Sequence, residues 1–223
     1  MIKDTIQVER LALDDYKINL KPLIESMQKG DSLKIICFGN SITRGYKVGT
    51  AASVEKPYPQ VLQKLLRDKF KNPSIQVINE GHNGWRSDQA LANIRTLVIN
   101  QKPDLLILKL GINDVYSGFS PAIYRQNIAK MIEMLQTIHT KIILMNPTPI
   151  LTPLNAKVLT YSPVLRNLAQ EKGIAFLNLY QKIIDKKENS ELLWAEVLPD
   201  DVHFADNQYR WIAEILVEYL NVE

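Results

Sequence analysis

Ser41, Asp200 and His203 are the residues of this chain whose types and spacing suit nucleophilic chemistry. Ser41 lies on a glycine-opened turn, Gly39-Asn40-Ser41-Ile42-Thr43, directly after a short apolar run. A hydroxyl is a weak nucleophile until a neighbouring base takes its proton, and the base needs a third group to hold its tautomer. His203 supplies an imidazole, and Asp200 lies three residues before it. A D-x-x-H turn points both side chains the same way, so Asp200 is placed to accept from Nδ1–H. Asp201 offers a second carboxylate in the same turn; the spacing favours Asp200. Acyl transfer also develops an oxyanion, which requires preorganised donors. The candidates are the Ser41 N–H, the Gly81 N–H and the Asn113 side-chain amide. Gly81 suits the role because a residue without a Cβ lets the main chain approach a substrate closely.

Other templates fail. G-x-S-x-G would require glycine where Thr43 stands. Neither a P-loop nor a G-x-G-x-x-G is present, H-E-x-x-H is absent, and three scattered histidines do not suggest a metal site. No metal and no cofactor are expected. Cys37 sits inside an apolar run and reads as a buried residue, not a reactive thiol. His139 reads as a favourable charge at a helix end. Around the candidate site, His82 and Trp85 are substrate-pocket candidates; the plain alternatives are a loop histidine and a tryptophan that packs the next helix. Segment 45–57, and segment 146–161 with Pro147, are long, lack strong periodicity and are candidates for the rest of the pocket.

The elements that must position these residues follow from hydrophobic patterning. Short, near-continuous apolar runs at 34–38, 75–79, 105–110, 141–145 and 174–178 read as strands covered on both faces. Between them lie helices: 58–70; one capped by Ser87; one opened by Ser120-Pro121; one opened by Ser162-Pro163 and ended by Gly173; and one over about 207–220. This alternation predicts one α/β unit with a five-stranded parallel sheet and helices on both faces. Ligands of such sheets bind beyond the carboxyl ends of the strands, where these candidates fall.

The 223 residues, 46% hydrophobic and 23% charged, have the composition of an ordinary globular protein. A net charge of +3 without a Lys/Arg run gives no support to nucleic-acid binding. No stretch approaches the ~18 apolar residues of a spanning helix. Lys3, Asp4, Glu9 and Arg10 interrupt any export-signal core, so a cytoplasmic protein without a membrane span is expected. Residues 1–30 precede the first strand and match no βα unit; residues 31–223 form the expected catalytic domain. Leu20, Leu23, Ile24 and Met27 are spaced for a short amphipathic helix against the sheet edge, with a homodimer contact as the sharper alternative.

Four blocks, G-N-S-I-T, N-E-G-H-N-G, G-I-N-D and D-D-V-H, resemble those of the SGNH hydrolases, the GDSL esterase/lipase family. They stand in the family order from Gly39 to His203. The resemblance implies a flavodoxin-like three-layer α/β/α sandwich with strand order 2-1-3-4-5. It also implies ester hydrolysis through an acyl-enzyme, without metal. By that resemblance Ser41 is similar to the nucleophile, Gly81 and Asn113 to oxyanion donors, His203 to the base and Asp200 to the orienting acid. Two positions depart from the family pattern. Asn40 replaces the usual Asp and keeps its hydrogen-bonding capacity without its charge, and Asp201 replaces a Gly.

The expected activity is hydrolysis of a small-molecule ester of small or medium acyl length, either a carbohydrate acetyl ester or a lysophospholipid-like one. A thioesterase or acyltransferase with the same triad, and a non-catalytic flavodoxin-like binding module, are the alternatives.

Overall fold

Apolar runs covered on both faces become the strands of one parallel sheet. The computed structural model describes residues 8–18 and 20–221. Lys3 and Asp4, and the first part of the expected extension, lie outside the described residues. In chain order the elements are α1 (Lys21–Lys29), β1 (Leu33–Gly39), α2 (Ser41–Arg44), α3 (Tyr58–Phe70), β2 (Ile75–Gly81), α4 (Ser87–Leu97), β3 (Leu105–Lys109), α5 (Ile112–Tyr116), α6 (Pro121–Gln136), β4 (Lys141–Met145), α7 (Asn155–Lys172), β5 (Ala175–Leu177), α8 (Leu179–Glu188), α9 (Trp194–Val197) and α10 (Tyr209–Tyr219).

The strands pair in the order β2-β1-β3-β4-β5, all parallel. β3 and β4 are buried nearly end to end, as their unbroken apolar sequences require. β2, at an edge, is only half covered. Helices α3, α8 and α10 pack together, as do α4, α6 and α7, and the two groups form the layers on either side of the sheet. The chain leaves β1 toward β2 and returns to the other side of β1 as β3. The crevice at this topological switch point therefore opens beyond the ends of β1 and β3, the place where such sheets bind ligands. Among the described residues no helix is long and apolar enough to cross a membrane.

Several local expectations are corrected. Ser162-Pro163 does not open a helix. Pro163 lies inside α7, and the Ser162 hydroxyl receives the Asn146 side-chain N–H instead of capping (2.9 Å). An interior proline costs about 3 kcal/mol; the buried face of Val158, Tyr161, Leu165 and Leu168 offsets it. Segment 146–161 is consequently helical from Asn155 onward. Ser87 is the first residue of α4 and not its cap, because its hydroxyl is drawn to Asp114. α6 ends at Gln136, so His139 stands past the helix end with a positive φ of 59°. The expected amphipathic helix forms as α1 and buries Leu23, Ile24 and Met27. Its end is tied down by Asn72, in the turn between α3 and the edge strand β2, which donates to the carbonyls of Met27 and Asp31 (3.1 and 2.9 Å).

Candidate active site

β1 ends at Gly39, and the chain turns at once into α2, whose cap is Asn40. The Asn40 side chain accepts from the Ile42 N–H (3.2 Å), so the neutral replacement keeps the capping bond that turns Ser41 outward from the strand. Ser41 is the first residue of α2, a position without an intrahelical partner, and its N–H has no acceptor among the described residues.

His203 stands 162 residues further on, yet its Nε2 lies 2.8 Å from Ser41 Oγ. Its Nδ1 lies 2.8 Å from Asp200 Oδ2. The other Asp200 oxygen accepts the His203 N–H (2.7 Å) and the Val202 N–H (3.1 Å), so one carboxylate fixes both the turn and the ring. Burial presses the Asp200 pKa upward. The hydrogen bonds from the His203 backbone and imidazole, with the Val202 N–H, outweigh it and hold the carboxyl below its usual value. Asp201 occupies the left-handed region, φ 70°, its N–H donating to Leu198 O and its carbonyl accepting from Leu151 N–H. The imidazole is held by Asp200.

Tyr46 completes this half of the site. Its ring lies against the His203 imidazole with centroids 4.5 Å apart, its N–H donates to Ser41 O, and its carbonyl accepts from Tyr209 OH (2.8 Å). It lies in segment 45–57, a pocket candidate of the sequence, but its contacts with His203 and Tyr209 are made only through the fold.

The candidate donors lie on the segments that follow β2 and β3. Asn113, in the second position of α5, donates one amide hydrogen to Trp85 O (2.9 Å) and keeps the other. Next to it, the buried Asp114 carboxylate accepts the Ser87 N–H (3.0 Å) and the Ser87 hydroxyl. Adjacent residues of α5 thus grip the 85–87 segment at two points. Burial raises the Asp114 pKa, opposed by the Ser87 hydrogen bonds.

Gly81 requires a correction. The His82 N–H donates to Gly39 O on β1, so the Gly81 N–H points the other way along the extended strand, where Asn79 Oδ1 takes it (2.9 Å). Its glycine character has a different cause: a Cβ there would lie 2.0 Å from Arg44 N in α2. Three residues later, Gly84 holds φ 74° in the turn closed by Trp85 N–H donating to His82 O (3.3 Å). Its N–H has no acceptor among the described residues, and the space where a Cβ would stand is open. The Asn83-Gly84 pair was the sequence signal for this turn.

The pocket candidates divide. His82 stacks on Trp85, centroids 3.9 Å apart and planes at 17°, and both are partly exposed. Pro147 is buried, packed so closely on Gly111 that a Cβ there would meet its Cγ at 2.7 Å. It therefore supports the turn into α5. Cys37 is fully buried in β1, its thiol pushed up to about 12 chiefly by desolvation, as an inert core residue requires. No group of His, Cys, Asp and Glu among the described residues is arranged to hold a metal ion.

Comparison with known proteins identifies the family and the fold. The model of the GDSL-like Lipase/Acylhydrolase family matches residues 37–211. An arylesterase of Vibrio mimicus is 26% identical over 194 residues, covering 85% of this chain and 88% of its own. An acetylxylan esterase of Geobacillus stearothermophilus is 25% identical over 195 residues, covering 78% of this chain and 89% of that protein. A second acetylxylan esterase, from Xylanibacter ruminicola, is 25% identical and matched over 43% of its length, so the chain spans less than half of that relative. The crystal structure of an acetylxylan esterase from Geobacillus stearothermophilus superimposes with a TM-score of 0.75 at 22% identity, covering 87% of this chain and 96% of that one. At that identity the superposition speaks for the fold.

Proposed function

The chain belongs to the GDSL-like lipase/acylhydrolase family, and from that premise we propose that it is a serine hydrolase that cleaves small acyl esters, with Ser41, His203 and Asp200 as its triad. The observation that carries this reading is the unbroken chain from Ser41 Oγ through the His203 ring to Asp200 Oδ2, 2.8 Å at each step. His203 Nε2 takes the Ser41 proton as Oγ attacks the ester carbonyl. Asp200 fixes the tautomer and balances the imidazolium that forms. His203 then protonates the leaving alkoxide, leaving an acyl-Ser41. Water, deprotonated by the same imidazole, releases the acid.

The oxyanion donors in this reading are the Ser41 N–H, the free hydrogen of the Asn113 amide and the Gly84 N–H, which replaces Gly81. Support comes from the unpartnered state of the two backbone donors and from the bond that joins Asn113 to the Gly84 turn through Trp85 O. The acyl group we assign is acetyl or a similarly short chain on a carbohydrate or aryl alcohol, in line with relatives named acetylxylan esterase and arylesterase. The catalytic unit we assign to residues 31–223, with the described part of the preceding segment packed against it.

Labelling with a fluorophosphonate probe, followed by hydrolysis assays over p-nitrophenyl esters of rising acyl length, acetylated xylo-oligosaccharides and acyl-thioesters, tests the proposal. Ser41 should label, Ser41→Ala should not, and turnover should be greatest on acetyl oxygen esters. Absence of labelling in folded protein would overturn catalysis in favour of a binding module. A clear preference for thioesters would overturn the ester assignment while leaving the triad.

A further inference from the structure

The turn that carries the Gly84 N–H is fastened from outside by two side chains. His82 and Trp85 are its first and last residues, and their rings stack across it at 3.9 Å. Phe38 of β1 presents itself edge-on to both, at 6.4 Å from His82 and 6.3 Å from Trp85. Glu80 Oε2 lies 3.3 Å from His82 Nε2 without the alignment of a hydrogen bond, and Gln101 Nε2 holds the other Glu80 oxygen (3.2 Å). The backbone between the two rings contains the unpartnered Gly84 N–H, and the Trp85 carbonyl is the acceptor that orients Asn113.

We propose that the His82–Trp85 stack is a clamp that presets two of the three oxyanion donors, making His82 a positioning residue for the reaction. This rests on the triad reading above. A four-residue turn with glycine at its third position has freedom to open, and among the described residues a single backbone bond, Trp85 N–H to His82 O, closes it. Stacked rings at its two ends resist that opening, and the core side of the stack is Phe38, which is fully buried and cannot yield. If the turn opened, the Gly84 N–H would swing and the Trp85 carbonyl would release the Asn113 amide in the same movement. Preorganised donors are effective because they do not reorganise during the reaction, so loosening them lowers kcat and leaves ground-state binding nearly untouched.

The test is a set of variants assayed on p-nitrophenyl acetate, each checked for folding by its melting curve. His82→Ala and His82→Gln, which lose the ring, should lower kcat by about 10- to 100-fold with KM changed less than about twofold. His82→Phe, which keeps a ring to stack, should recover most of the loss. In an Asn113→Ala background His82→Ala should cost clearly less than it does alone, because one of the two donors it positions is already gone and only the Gly84 N–H is left to misalign. An effect confined to KM would make His82 a substrate contact and overturn the clamp. So would a His82→Phe variant as slow as His82→Ala, or full additivity with Asn113→Ala. Turnover by Ser41→Ala would instead overturn the triad, a failure that these comparisons keep separate.

Discussion

At the scale of the residue, Asp200 and Lys109 show two opposite uses of burial. The Asp200 carboxylate is held low by three donors and supports the imidazole from one side. Asp200→Asn keeps its shape but offers the ring the wrong partner, so kcat on p-nitrophenyl acetate should fall by about 10³- to 10⁴-fold with the melting temperature little changed. Near-normal turnover would remove Asp200 from the triad. Lys109 ends β3 between Gly39 and Met145, fully buried, and its Nζ has no hydrogen-bond partner among the described residues. Desolvation lowers its pKa from 10.5 to about 7. The unfolded chain therefore binds a proton that the folded chain lacks between those values. The resulting cost is absent above pH 10.5, grows as pH falls and is complete near pH 7, where it is on the order of a few kcal/mol. Lys109→Met should raise the melting temperature at pH 7, and the gain should shrink as the pH approaches 10. A gain independent of pH would mean that packing, not the amine, is responsible.

At the scale of the element, the short α5 acts as a bracket. Asn113 and Asp114 are consecutive, and one donates to Trp85 O while the other grips the start of α4 through Ser87, itself held by Asn127 Nδ2 (2.9 Å). Asp114→Ala strands the Ser87 N–H and hydroxyl in a buried place. It should cost about 1.5–3 kcal/mol of stability, read from denaturant melts, and slow turnover as Asn113 loses its alignment. Unchanged stability would mean that water replaces the carboxylate. How far such elements were legible follows from how local their causes are. The strands were plain, because burial on both faces leaves an apolar run that a single sequence displays; β4 lies at 141–145 as the pattern requires. α8 was not foreseen, because β5 is three residues long and runs through Asn178 into Leu179-Tyr180 with no glycine or proline between. Ser162-Pro163 misled, because a proline signal marks a helix start or an interior kink and only packing decides. The residues of the proposed triad were legible from their types, and the proposed Gly84 donor was not. Which N–H of the 81–84 segment faces the site depends on which carbonyl β1 offers, a fact of pairing and not of composition.

At the scale of the whole molecule, the sheet has two unequal edges. β2 is an outer strand of seven residues flanked by α2 and α3. β5 has three residues and would present its backbone to solvent, but the segment before α1 covers it. Tyr16 exchanges both backbone bonds with Phe176 (2.8 and 2.7 Å), the Asn178 side-chain amide donates to Leu13 O and its backbone N–H to Asp15 Oδ1, and Leu11 N–H donates to Gln181 Oε1. The Tyr219 hydroxyl donates to Tyr16 O, and the Arg166 guanidinium lies over the Tyr16 ring, so α10 and α7 both bind the strap. An uncovered strand edge is a template for pairing with another chain. The strap therefore does for β5 what a sixth strand would do, and it does so at the opposite edge from β2, two strands away from the crevice between β1 and β3. Stability and self-association should consequently separate from catalysis. A chain beginning at Leu20 should melt at a lower temperature and associate as its concentration rises, seen by light scattering. Turnover per site, with sites counted by fluorophosphonate titration, should match the intact chain in dilute solution. A truncated chain that stays monomeric with an unchanged melting temperature would show that β5 needs no cover. A loss of turnover per labelled site would show that the strap reaches the reaction through β4.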